Sequence, residues 1–269
     1  MDELRATFRR LRASGRKALI PFITGGDPDL RATQDLLVAL EDAGADIIEL
    51  GIPFSDPLAD GPVIQASSSR ALARGATPAK VLEALAAVRH RLSVPVVCLS
   101  YWNPMAQFGA GAPHRDAAPF LAAARASGFS GVVVPDLPVE EGGPLRAAAK
   151  RKHLATVCMV APTSPRERLL AAARASEGFL YYVSVAGTTG TRRELPPELV
   201  GGVRALKRLT SKPVCVGFGI STPAQAAAVA RLADGVIIGT ALIRAIQGRS
   251  RASAVRAAGA FVARLRRAV

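Results

Sequence analysis

Between Glu49 and Gly61 the chain reads Glu-Leu-Gly-Ile-Pro-Phe-Ser-Asp-Pro-Leu-Ala-Asp-Gly. Glu49 stands in the apolar run Ile47-Ile48-Glu49-Leu50, and the loop that follows carries Pro53, Asp56, Pro57 and Asp60. A carboxylate inside an apolar strand is costly unless it is paired or used. For a lone strand glutamate the plainer arrangement is an outward side chain paired with an arginine, with Asp56 and Asp60 capping turns. The order here (acid near a strand end, rigid loop, second acid) shifts the balance toward chemistry. Two carboxyls in different environments hold different protonation states and divide acid and base work.

A second set of residues suits an anion. Gly187-Thr188-Thr189-Gly190-Thr191, Gly217-Phe218-Gly219 and Gly239-Thr240 each follow a β-like run late in the chain. Glycine lets backbone amides approach an anion closely, and a helix starting at Thr240 would add its positive end. Together the turns point to a phosphate monoester substrate, and no nucleotide P-loop pattern is present. Phe22, Leu99, Tyr101, Phe129 and Tyr181 fall near predicted strand ends or starts. Most such residues are plain core, but the phenols of Tyr101 and Tyr181 can orient a substrate while their rings line a flat pocket.

These groups need a scaffold that brings strand ends together. β-like runs are predicted at Ala18–Thr24, Asp46–Leu50, Val94–Ser100, Gly131–Pro135, Ala155–Val160, Phe179–Ser184, Val214–Phe218 and Gly235–Ile238. Near-continuous apolar runs suit parallel strands buried on both faces. Between them the period is helical, as in Val81, Leu85, Val88 and Leu92, or Val255, Ala258, Val262 and Leu265. Thr77-Pro78, Ser164-Pro165 and Thr222-Pro223 predict helix starts, with capping-box spacing to Glu167 and Gln225 in the last two. Gly44 and Gly128 stand where helices should stop. Eight strands alternating with helices predict an α/β chain forming a single (β/α)8 TIM-type barrel over residues 1–269. An extra N-terminal helix is expected, with short helices after strands 2 and 8. A doubly wound open sheet is the alternative, but Gly25-Gly26-Asp27-Pro28 stands where its dinucleotide fingerprint would be.

The rest of the composition mostly excludes. Lys and Arg number 35 against 21 Asp and Glu, a net charge of +14. The arginines are spread over Ala-rich helical segments without a nucleic-acid motif, so a solvated basic surface with a general attraction for anions is expected. No apolar run approaches the roughly 20 residues needed to cross a bilayer, and the charged start Met1-Asp2-Glu3-Leu4-Arg5 is unlike a signal peptide. A cytoplasmic chain is the expectation. Cys98, Cys158 and Cys215 read as buried structural thiols, and His90, His114 and His153 lack metal-site spacing.

The stretch from Glu49 to Gln65 closely resembles the signature of the tryptophan synthase alpha chain family. Pro21-Phe-Ile-Thr-Gly-Gly-Asp27-Pro28, Tyr101-Trp-Asn103-Pro104, Pro135-Asp136-Leu-Pro138 and Gly217-Phe-Gly219-Ile-Ser221 fit the same family in its order. The resemblance implies retro-aldol cleavage of indole-3-glycerol phosphate to indole and glyceraldehyde 3-phosphate, without metal or Schiff base. By the same resemblance, Glu49 is the acid and base at indole C3 and the side-chain hydroxyl. Asp60 is the acceptor for the ring N–H, and Tyr181 the active-site tyrosine. Phe22, Leu99 and Phe218 line the indole pocket, with Tyr101 and Thr189 also on the substrate. Gly190, Gly219, Gly239 and Thr240 hold the phosphate. The family implies an alpha2-beta2 complex in which indole passes to a beta subunit that carries pyridoxal phosphate, so no cofactor is expected on this chain. Pro53, Asp56, Pro57 and Asn103 match its docking surfaces. Val185 stands where some members carry arginine, and Thr240 where serine is more usual. A stand-alone lyase releasing free indole, or a non-catalytic activator of the beta subunit, are the competing readings.

Overall fold

The computed structural model describes residues 2–183, 195–217 and 219–269, apart from the side chain of Asp2. Eight strands close into a parallel barrel in chain order: β1 (Ala18–Thr24), β2 (Ile48–Gly51), β3 (Val96–Leu99), β4 (Gly131–Val133), β5 (Ala155–Val160), β6 (Leu180–Val183), β7 (Val214–Gly217) and β8 (Gly235–Ile238). Closure runs from β8 to β1 through Ala18 beside Gly235 and Leu19 beside Val236. Every predicted strand is present; β1, β5 and β8 keep their expected ends, β3 and β4 are trimmed, β6 begins one residue later than expected, and the expected ends at Ser184 and Phe218 lie outside the described residues. β2 alone shifts forward. Asp46 lies below it, because its carboxylate accepts the Leu19 N–H at 2.9 Å and pairs with Arg266 at 2.6 Å. The strand then runs on to Gly51, two residues past Glu49.

Helix α1 (Asp2–Ala13) precedes the barrel. After β1 comes α2 (Leu30–Asp42), and after β2 come α3 (Pro62–Ala73) and α4 (Pro78–Val88). β3 is followed by α5 (Trp102–Ala106) and α6 (Ala118–Ala126), β4 by α7 (Gly143–Arg151) and β5 by α8 (Arg166–Ala175). The set ends with α9 (Pro197–Leu209), α10 (Pro223–Leu232), α11 (Thr240–Ile246) and α12 (Arg251–Arg266). The helix expected to be short after β2 has 12 residues. Pro62 opens it, and nothing breaks it before Gly75, whose φ is 76°. α11 is short, at 7 residues. The brief α5 was not expected, since its Trp102-Asn103-Pro104 segment carries no helical period.

Capping follows the sequence at two of three starts. The Thr77 hydroxyl accepts the Lys80 N–H, and Thr222 with Gln225 forms the full capping box. Ser164 departs: its hydroxyl accepts the Ala161 N–H at 3.0 Å, Pro165 takes the cap position and α8 starts at Arg166. Gly44 and Gly128 follow the ends of α2 and α6 with φ of 96° and 95°, a left-handed turn that a side chain resists. On α12 the buried face is Ala254, Ala258, Val262 and Leu265, one residue off the expected start. Cys98 and Cys215 are buried, whereas Cys158 is only partly so. Among the described residues no helix is long and apolar enough to cross a membrane.

Candidate active site

Strand register places the candidate groups on one side of the barrel wall. Glu49 lies beside Phe22 of β1 and Val97 of β3, and Leu99, two residues on, lies beside Gly51 and Val133. Side chains alternate along a strand, so residues two apart share a face. The same face continues through Val157 and Met159 of β5 to Tyr181 of β6 and Cys215 of β7. Two glycines keep it open to rings. A Cβ on Gly51 would sit 2.7 Å from the Phe22 ring, and one on Gly217 would sit 2.9 Å from the ring of Tyr181. Phe22 also packs beside Gly239 and Ile64.

Glu49 is 2% exposed, and its Oε1 has no hydrogen-bond partner. Burial, and then the charge of Asp60, push its pKa up to about 8. Asp60 sits in the loop between β2 and α3. Burial raises it to about 6, against a hydrogen bond from the Tyr101 phenol that lowers it. Burial and the charges of Glu49 and Asp60 hold the Tyr181 phenol well above its ordinary value, so it stays protonated. These three groups therefore feel one another, as the sequence suggested. Between about pH 6 and 8 these values leave Glu49 neutral and Asp60 ionised.

Tyr101 also has a supporting part that the sequence did not suggest. Its hydroxyl accepts the Ala59 N–H at 3.0 Å and faces Asp60, and its ring packs on Phe54 at 5.4 Å. Its polar end thus holds the Asp60 loop. A second support comes from Asp27, 3% exposed at the end of the loop after β1. Its carboxylate receives Arg70 Nε at 3.0 Å and Nη2 at 2.6 Å, and the Ser67 hydroxyl at 2.6 Å. Arg70 and Ser67 belong to α3, which begins two residues after Asp60, so Asp27 anchors the helix that follows the acid. Sequence reasoning gave Asp27 no part, although it lies within the Pro21–Pro28 motif. Val133 and Met159 were likewise missed as wall residues, and only strand parity could have found them; Ile64, on α3, was missed because nothing local aims that helix at the barrel mouth.

At the phosphate-type turns, Gly239 caps α11 and Thr240 is its first residue, while Gly219 lies beyond β7 with φ of 25°. Thr189, Gly190, Val185 and Phe218 lie outside the described residues. Around the mouth, Asp56 and Asn103 are exposed and Pro57 partly so, but Pro53 is buried. Pro53 therefore offers little surface for direct contact. Leu58, which the sequence reading passed over, is 91% exposed, the one large apolar side chain so placed among the described residues. No three His, Cys, Asp or Glu side chains among the described residues gather as a metal-ligand set.

Comparison with known proteins agrees with this geometry. The family model for the tryptophan synthase alpha chain matches residues 8–269. The chain belongs to the tryptophan synthase alpha chain family. The alpha chain of Geobacter sulfurreducens is 45% identical over 269 residues, covering 100% of this chain and 99% of that one. The solved alpha subunit of Legionella pneumophila superposes with a TM-score of 0.89 at 37% identity, covering 100% of this chain and 98% of that one. A structure described for mutual activation of the tryptophan synthase alpha2-beta2 complex of Pyrococcus furiosus gives 0.85 at 38% identity, covering 92% and 97%. Alpha-chain family membership thus rests on both the sequence signature and the whole barrel.

Proposed function

We propose that this chain is a carbon–carbon lyase that cleaves indole-3-glycerol phosphate to indole and glyceraldehyde 3-phosphate, as the alpha subunit of a complex with a beta subunit. The observation that carries the reading is Glu49, buried in the barrel mouth with one free carboxyl oxygen and a pKa near 8, beside Asp60 near 6. Neutral Glu49 gives its proton to C3 of the indole, and the ring becomes a cation centred on its nitrogen. Ionised Asp60 accepts the ring N–H and stabilises that charge. The Glu49 carboxylate then takes the proton of the side-chain hydroxyl. The hydroxyl carbon becomes an aldehyde, the carbon–carbon bond breaks, and its electron pair restores the indole. Glu49 ends as it began, protonated.

Phe22, Leu99 and Tyr181 supply the walls for a flat ring, and the amides at Gly219, Gly239 and Thr240 are the phosphate ligands in this reading. Pyridoxal phosphate belongs to the beta partner, and no step above runs through it. Docking is assigned to Asp56, Pro57, Leu58 and Asn103 at the mouth. The likeness to a structure described for a tryptophan synthase alpha2-beta2 complex favours a partner over the stand-alone enzyme. The test is indole release from indole-3-glycerol phosphate with and without a beta chain. Low activity alone and a marked gain on mixing are expected; a high rate with no gain would leave the stand-alone lyase. Glu49→Gln should abolish cleavage while glycerol-phosphate ligands still bind.

A further inference from the structure

A cavity of about 450 Å3 lies at the other end of the barrel, between α1 and the segments that lead into β6 and β7. Arg5, Arg9 and Arg12 line it from α1, and Lys212 faces them from the loop before β7. The arginine spacing of four and three places the three on one helix face. Glu177 is the one acid in the lining, and Phe8 contributes apolar surface. Among the described residues no carboxylate forms an ion pair with any of the four cations.

The neighbouring small cavity of about 100 Å3 shows the contrast. Arg12 lines it as well, but its Arg16 pairs with Asp46 at 3.6 Å and its Lys17 with Asp234 at 3.9 Å, so two of its three cations are met within the protein. In the larger cavity Lys212 donates only to the carbonyls of Arg174 and Ser176, at 2.9 and 2.5 Å, and Arg12 only to that of Ser211, at 3.5 Å. Burial chiefly, with Arg5 contributing against Cys158 and Glu177, holds the Lys212 ammonium below its ordinary pKa, so Arg5 and Lys212 repel each other across the gap. Four converging charges around a concave space, opposed by one carboxylate, match a compact ligand with several negative charges. A long polyanion is a poorer match, because the cations surround a hollow and do not form a track.

We infer that this cavity is a binding site for a small polyphosphate, free or carried on a nucleoside, separate from the catalytic mouth. The site does not depend on the reaction proposed above. The test is calorimetric titration of the full chain with tripolyphosphate, with ATP and with a nucleic-acid oligomer series, at low and raised salt. Tripolyphosphate should bind once per chain, weaken as salt rises, and remain bound when glycerol 3-phosphate is added. ATP should bind at least as tightly, through the same phosphate chain. Arg5→Gln with Arg9→Gln, both exposed positions on α1, should weaken binding at least about tenfold and leave the far-UV spectrum and indole cleavage unchanged. No saturable binding, binding equal in the double variant, displacement by glycerol 3-phosphate, or affinity that grows with oligomer length would each overturn the proposal.

Discussion

The phenol of Tyr101 hydrogen-bonds to Asp60 and, at its oxygen, accepts the amide of Ala59 at 3.0 Å. The loop is thereby held at the backbone of Ala59 and at the charge of Asp60. Burial pushes Asp60 upward, and the phenol draws it back to about 6. Glu49, with one oxygen free of any such donor, rises to about 8. The difference between the two acids is thus a matter of one hydrogen bond, two degrees of burial and the charge that Asp60 sets near Glu49.

Tyr101→Phe removes the donor. The pKa of Asp60 should climb above about 6, and the acid limb of the pH–rate profile should move upward with it. Loss of a hydrogen bond to a charged group predicts a fall in activity of about tenfold near neutrality. Indole release measured across the acid and neutral range checks this; a profile that superimposes on the parent's would remove Tyr101 from the account.

Glu49→Gln should change how stability depends on pH. A carboxyl whose pKa is raised on folding holds its proton more tightly in the folded chain. Its contribution is full below the unfolded value of 4.5 and is lost as pH rises toward 8. The loss is at most on the order of 5 kcal/mol. An amide does not titrate, so urea melts should show the variant gaining on the parent as pH rises. Parallel curves would mean that Glu49 ionises no harder in the fold than outside it.

Asp27→Asn cuts the charge that Arg70 and Ser67 hold. A fully buried pair broken on one side costs about 3–5 kcal/mol. Arg70 is 28% exposed at its side chain, so a loss nearer about 2 kcal/mol is expected after solvent screening. Thermal melts measure it. Because α3 follows directly on Asp60, kcat/KM should also fall at temperatures where the variant is fully folded. Unchanged kinetics there would confine Asp27 to stability.

Leu58→Asp places a charge on the exposed tip of the loop. The melting curve should hardly move, since surface changes usually stay within about 0.5 kcal/mol. Affinity for a beta subunit, followed by sedimentation or by stimulation of indole release, should drop markedly. Undiminished affinity would place the docking surface elsewhere.

Much of the scaffold was legible because its signals are local. Ala18–Thr24 and Ala155–Val160 are apolar runs that needed no partner to be recognised as strands. Thr222 and Gln225 meet across three residues, and their capping box formed. Where a residue had a distant claim on it, the local reading failed. Asp46 was counted into β2, but Leu19 and Arg266 hold it below the strand. Ser164 looked like a cap until its hydroxyl met the Ala161 amide.

The sequence by itself determined that eight strands alternate with helices, that Glu49 and Asp60 flank one rigid loop, and that glycine turns follow the last strands. Each is a matter of residue type and short spacing. Tertiary structure alone decided which strand faces turn inward, that Tyr101 reaches the Asp60 loop across 42 positions, and that Asp27 grips Arg70 across 43. It also decided that burial raises both carboxyls, Glu49 further than Asp60. Those outcomes depend on burial and on charges brought near from other strands, and such distances do not exist until the barrel closes.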